Sequence, residues 1–130
     1  MSKTLVVVED SQFARAILSK ELKKHGFNIV FAEDAESGHI QILQMEKKPD
    51  LIILDLNLPA LEGEDLGIML SGMDETENIP IVIFSAKPEE EIKRAAELAG
   101  ARDYVRKDQD MKSCIAMLVK KIKAILSEDA

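Results

Sequence analysis

The most apolar run of this 130-residue chain, Leu51-Ile52-Ile53-Leu54, stops at an aspartate, Asp55. A carboxylate at the end of a fully apolar strand is costly to place unless a cation or hydrogen bonds compensate it. Other hydrophobic runs also stop at residues able to handle phosphate or a cation. Val6-Val7-Val8 leads to Glu9-Asp10, the run near Ala32 leads to Asp34, Ile81 to Phe84 leads to Ser85, and Tyr104-Val105 leads to Lys107. Gathered together, Glu9, Asp10 and Asp55 bring three negative charges and Lys107 one positive, a net of about −2. Two like charges ~4 Å apart repel by about 4 kcal/mol at an effective dielectric of ~20, so such acids raise one another's pKa or recruit a cation. A donor set of oxygens without His or Cys favours Mg²⁺ or Mn²⁺ over zinc, and Mg²⁺ commonly takes one or two carboxylates together with phosphate oxygens and water.

Taken singly, each residue has an ordinary reading. Asp10 or Ser11 can cap a helix, and Asp55, followed by Asn57 and Pro59, can form an Asx turn. Ser85 can brace a helix starting near Pro88, and Lys107 alone can be a solvated charge. All four ordinary readings together require the right chemistry to fall at strand ends by accident.

The elements that would position these residues are legible as alternating patterns. Leu5 to Val8, Ile29 to Phe31, Leu51 to Leu54, Ile81 to Phe84 and Tyr104-Val105 are short, continuous and rich in β-branched residues, as strands buried on both faces are. Between them run helical stripes: Ala14, Ile17, Leu18 and Leu22; Ala35, Gly38, Ile42 and Met45; Leu66, Met69 and Leu70; Ile92, Ala95, Ala96 and Ala99. A last stripe carries Met111, Cys114, Ile115, Leu118, Ile122 and Ile125. Gly26 and Gly100 fit left-handed helix stops, and Pro88 fits a first helical position with Glu89, Glu90 and Glu91 in the dipole-favoured first turn. Strict βα alternation predicts one α/β domain over residues 1–126, a doubly wound parallel sheet covered on both faces, with 127–130 as a frayed tail. In such a sheet ligands bind outside the carboxyl ends of the strands, near the point where strand order reverses. Glu9, Asp10, Asp55, Ser85 and Lys107 are thus expected on one edge, whereas Glu33-Asp34 lies further out and starts a helix.

Composition narrows the function. A net charge of −7 and scattered lysines argue against binding nucleic acid or an anionic membrane surface. No apolar stretch approaches the ~20 residues that span a bilayer, and Met1-Ser2-Lys3-Thr4 runs into a strand without a signal-peptide pattern, so a cytoplasmic location is expected. The single Cys114 excludes a disulfide framework and reads as a buried, inert thiol.

Four segments in order, Val6-Val7-Val8-Glu9-Asp10, Leu54-Asp55-Leu56-Asn57-Leu58-Pro59 with Gly63, Ile83-Phe84-Ser85-Ala86, and Gly100 through Lys107, resemble the receiver domain of two-component response regulators, in its single-domain, chemotaxis-regulator-like form. The resemblance covers essentially the whole chain. It implies a flavodoxin-like three-layer (βα)5 sandwich with strand order 2-1-3-4-5, and a signalling switch that catalyses only its own phosphorylation and dephosphorylation. Asp55 would accept a phosphoryl group from a histidine kinase or histidine phosphotransfer protein. Asp10 would bind Mg²⁺ (or Mn²⁺) directly, Glu9 through water, and Asn57 through its backbone carbonyl. Ser85 and Lys107 would grip the phosphoryl oxygens, and Tyr104 matches the switch aromatic. A downstream protein would read the surface formed by the fourth helix, fifth strand and fifth helix.

The match has departures. Asp108 follows Lys107 where the family usually has proline, often after a cis bond, so this loop is expected to be either trans or strained. Glu9 replaces the commoner Asp, and Lys87 stands at the pocket mouth. Two other readings stay open: a degenerate receiver that binds partners without phosphorylation, and a small α/β enzyme or flavin carrier, against which Asp10-Ser11-Gln12-Phe13 offers no Gly-rich phosphate loop.

Overall fold

The structure is a computed structural model and describes residues 2–57 and 63–128. Pro59 and Leu58 lie outside the described residues. Ten elements alternate: β1 (Thr4–Val8), α1 (Gln12–Lys24), β2 (Asn28–Ala32), α2 (Ala35–Gln44), β3 (Leu51–Leu54), α3 (Gly63–Ser71), β4 (Ile81–Ser85), α4 (Glu89–Ala99), β5 (Asp103–Arg106) and α5 (Met111–Glu128). The strands form one parallel sheet in the order β2-β1-β3-β4-β5, the flavodoxin-like arrangement.

Side-chain alternation along each strand divides the core into layers. Leu5 and Val7 of β1, Leu51 and Ile53 of β3 and Val82 and Phe84 of β4 pack with Leu18 and Leu22 of α1 and with Cys114, Ile115, Leu118 and Ile122 of α5. The alternate residues Val6, Val8, Ile52, Leu54 and Ile81 pack with Ala35 and Ile42 of α2 and Leu66 and Leu70 of α3. Ile83 and Leu56 meet Ile92 and Ala95 of α4, with Tyr104 at the margin. The central strands β1, β3 and β4 are buried on both faces, which is why they read as uninterrupted apolar runs. The outer strands β2 and β5 are only partly covered, contrary to the two-sided burial expected of all five.

Several boundaries differ from the sequence reading. β2 and β5 extend over Asn28, Ala32, Asp103 and Arg106, because an outer ladder needs only backbone partners and tolerates polar side chains. Pro88 is the N-cap of α4, with extended backbone, and not its first helical residue; Glu89, Glu90 and Glu91 do fill the first turn. Met69 is exposed rather than inward, and the inward position is taken by Gly67, where an added Cβ would stand 2.6 Å from the Ala99 Cβ. α3 and α4 thus approach at a point where any side chain would collide. Gly26 and Gly100 both hold positive φ after α1 and α4, as helix stops do. α5 runs through Glu128, and residues 129–130 of the expected tail lie outside the described residues.

Candidate functional site

Strand register builds the site. Val8 of β1 pairs with Leu54 of β3, so the next residue of each strand, Glu9 and Asp55, emerges side by side where strand order reverses. The ladder continues one step past the strands: the Asp55 amide donates to the Val8 carbonyl at 3.0 Å and the Glu9 amide to the Ala32 carbonyl at 2.9 Å. Both carboxylates are buried, Glu9 at 2% and Asp55 at 5% exposure, while Asp10 beside them is exposed. One carboxylate oxygen from each of Glu9, Asp10 and Asp55 lies within 4.8 Å of the others, a spacing that suits a hard divalent cation.

Lys107 is the positive counterpart. Its Nζ lies 2.5 Å from Glu9 Oε1 and 3.4 Å from Asp55 Oδ2, with the side chain 12% exposed. The ammonium also sits 5.2 Å from the centre of the Phe84 ring. Burial pushes the Glu9 carboxyl up to about 7; the Lys107 hydrogen bond works against that rise and the neighbouring Asp55 charge adds to it. An added cation would therefore relieve a buried acid pair that a single lysine leaves incompletely neutralised.

The sequence-predicted residues do not all share one surface. Glu9, Asp10, Asp55, Asn57 and Lys107 line a cleft of about 340 Å³, with Ser11, Ala86 and Lys87 at its rim. Ser85 is fully buried and does not line the cleft; its Oγ accepts from the Lys87 amide at 3.2 Å, and its carbonyl accepts from the Lys107 amide at 2.8 Å. Tyr104 stands outside the cleft, its hydroxyl donating to Glu89 Oε1 at 2.9 Å. That bond to a carboxylate raises the phenol pKa. Lys121 holds the same segment, donating to the Tyr104 carbonyl at 2.8 Å and to Asp103 Oδ1 at 2.9 Å, with its Nζ 5.5 Å from the Tyr104 ring centre.

Ordinary structural roles coexist with these placements. Ser11, not Asp10, caps α1, accepting from the Ala14 amide at 3.2 Å. Asp55 Oδ1 accepts from the Asn57 amide at 3.2 Å, an Asx-type contact. Asp34 caps α2 through the Ser37 amide at 2.8 Å, so the end of β2 starts a helix and contributes nothing to the cleft. The peptide between Lys107 and Asp108 is trans, since the described chain contains no cis bond.

Two residues escaped the sequence reading. Arg15 on α1 donates through Nη1 to the carbonyls of Glu9 at 2.8 Å and Asp10 at 3.1 Å, fixing the acidic turn from behind. Its signal was a lone basic residue one helical turn past the Ser11 cap. Arg106 donates through Nε to the Lys87 carbonyl at 2.8 Å, tying the β4–α4 loop to β5; nothing in the sequence marks that contact, which spans 19 residues.

A doubly wound five-stranded parallel sheet with an acidic notch and a lysine at its carboxyl edge marks the chain as a flavodoxin-like α/β domain, and comparison with known proteins makes the class specific. Residues 5–119 match the response regulator receiver domain, and the chain belongs to that family, the receiver domains of two-component systems. It is 32% identical over 123 residues to the protein PilH of Pseudomonas aeruginosa, covering 95% of this chain and 97% of that one. It is 33% identical over 118 residues to the phosphate regulon transcriptional regulatory protein PhoB of the same organism, covering 91% of this chain but 51% of PhoB, so it spans about half the length of that relative. The Mn²⁺-bound form of response regulator Rcp1 has the same fold, with a TM-score of 0.80 at 23% identity over 88% of each chain. No helix among the described residues is long and apolar enough to cross a membrane.

Proposed function

We propose that this chain is a phosphorylation-driven switch acting in the cytoplasm, in which Asp55 accepts a phosphoryl group from the phosphohistidine of a histidine kinase or histidine phosphotransfer protein. The observation that carries the reading is Asp55 itself: a buried carboxylate at the strand-order reversal, within reach of Lys107 and grouped with Glu9 and Asp10. The all-oxygen, net negative donor set fits Mg²⁺ or Mn²⁺. Asp10, Asp55 and the Asn57 carbonyl would hold the ion, with Glu9 acting through water. Once bound, the metal supplies charge neutralisation for the transferring phosphoryl group.

The chain's own residues do the rest. An Asp55 oxygen attacks phosphorus in line; the phosphorus–nitrogen bond breaks, and its electron pair remains on the donor imidazole, which takes up a proton. Lys107 shifts from the acid pair to the incoming phosphoryl oxygens. The Ser85 hydroxyl turns from the Lys87 amide to a second phosphoryl oxygen. Ser85 gains a charge-assisted hydrogen bond worth about 1.5–3 kcal/mol while Lys107 exchanges carboxylate contacts for phosphoryl ones, a bias that counts toward the ~5.5 kcal/mol that takes a two-state element from 1:99 to 99:1. The movement of Ser85 vacates space that Tyr104 fills by leaving Glu89 and turning inward. That alters the α4-β5-α5 face, which a downstream protein reads.

Incubation with a small acyl phosphate and Mg²⁺ tests the reading. The expected product is a mass gain of one phosphate, stable in acid and labile in base, and absent in Asp55→Asn. A chain that takes no label under these conditions binds its partners without phosphorylation.

A further inference from the structure

The segment that carries Lys107 is pinned on both sides, and the second pin is a sulfur atom. On the N-terminal side the Lys107 amide donates to the Ser85 carbonyl at 2.8 Å. On the C-terminal side the Asp108 amide donates to Cys114 Sγ at 3.2 Å. The thiol in turn faces Asp108 Oδ1 at 3.2 Å and the Arg106 carbonyl at 3.5 Å, so one side chain contacts the residue before Lys107 and the residue after it. Cys114 is 5% exposed in the first turns of α5, and its own amide donates to the Asp110 carbonyl at 3.1 Å, which fixes the sulfur relative to the loop.

We propose that Cys114 is a positioning residue for Lys107, its sulfur holding the Arg106–Asp108 backbone so that the ammonium reaches Glu9 and Asp55. The inference rests on the reading of Lys107 as a phosphoryl-gripping group. The physical reason lies in the length of the lysine. A side chain with four methylenes reaches many places, and only a fixed backbone origin confines its Nζ to the gap between two buried carboxylates. Sulfur suits the place. It faces the apolar core beside Ile115 and Leu118 at a smaller desolvation cost than a hydroxyl, yet still accepts the Asp108 N–H. Burial raises the thiol pKa, which keeps the S–H available as a donor.

A double-substitution cycle on the full chain tests this in two ways. In the metal-free protein, Cys114→Ala should accelerate hydrogen exchange at the Asp108 amide by about tenfold, leaving the β3 and β4 amides unchanged. With Mg²⁺ and acetyl phosphate, Cys114→Ala should slow labelling of Asp55 about fivefold without changing the acetyl phosphate concentration at half-saturation. Proline at position 108 has no N–H for the sulfur to hold, so Cys114→Ala made in the Asp108→Pro protein should slow labelling by clearly less than the roughly fivefold seen in the parent, only the Arg106 carbonyl contact remaining to be lost. Unchanged Asp108 exchange in Cys114→Ala, or equal slowing in both backgrounds, overturns the proposal and leaves Cys114 as packing alone. If the parent chain takes no label, the phosphoryl reading fails and the role assigned at Lys107 goes with it. The exchange rate then still decides whether the sulfur pins the loop.

Discussion

The two halves of the notch are built differently. The acidic half, on β1 and β3, is an extension of the sheet: Glu9 and Asp55 continue the main-chain ladder and sit above strands with no exposed side chain. The responding half, on β4 and β5, continues its ladder too, the Lys107 amide donating to the Ser85 carbonyl, but its side chains are tied across loops: Ser85 to Lys87, Arg106 to Lys87, Cys114 to Asp108, and Tyr104 to Glu89. A ladder yields only with the sheet, whereas single hydrogen bonds net about 0.5–1.5 kcal/mol each and exchange for others. The difference teaches how a receiver divides its labour. On the proposed reading, one half would offer an immobile acceptor, and the other would rearrange at a cost that one phosphoryl group can meet.

That contrast can be broken most forcefully at the residue joining the halves. Lys107→Ala should slow acyl-phosphate labelling about a hundredfold, measured as the rate of mass gain at saturating Mg²⁺, because a half-buried cation at the transferring group is lost. Should the rate hold, the responding half takes no part in transfer. A second test strikes the joint between the helices: Gly67→Ala places a methyl against Ala99 and should cost about 2 kcal/mol of stability in urea denaturation. The smallest effect sharpens the acidic half alone. In the metal-free protein Glu9 is lifted from an ordinary 4.5 to about 7, so between those values the folded chain holds a proton that the unfolded chain has released. Its contribution is therefore present below about pH 4.5 and lost as pH rises through 7, read as an unfolding free energy that falls across that window. Stability that instead climbs over the same range would mean the Lys107 contact outweighs burial.

The same division explains what could be read from residues alone. β3 and its terminal Asp55 were legible because a strand buried on both faces has no choice but to be apolar, and parallel register then fixes Glu9 beside it. The ends of β2 and β5 were not, since Asn28 and Arg106 join their ladders through backbone atoms that every residue shares. Met69 fitted a helical stripe as well as Gly67 does; only the closeness of α3 to α4, a tertiary fact, selects the residue with no side chain. Ser85 was placed at the right strand end but not in its orientation, because the hydroxyl answers to the Lys87 amide, a contact set by the path of the loop. Cys114 read as inert because its burial follows from α5 periodicity, whereas its bond to Asp108 depends on how the preceding turn folds back over the helix.

Tyr104 has a further consequence. The chain contains no tryptophan and a single tyrosine, and that phenol lies between a carboxylate and an ammonium on the half built from β4 and β5. Its near-ultraviolet absorbance and emission are thus an optical probe native to the molecule, which would time the proposed switch in the unmodified protein without a dye.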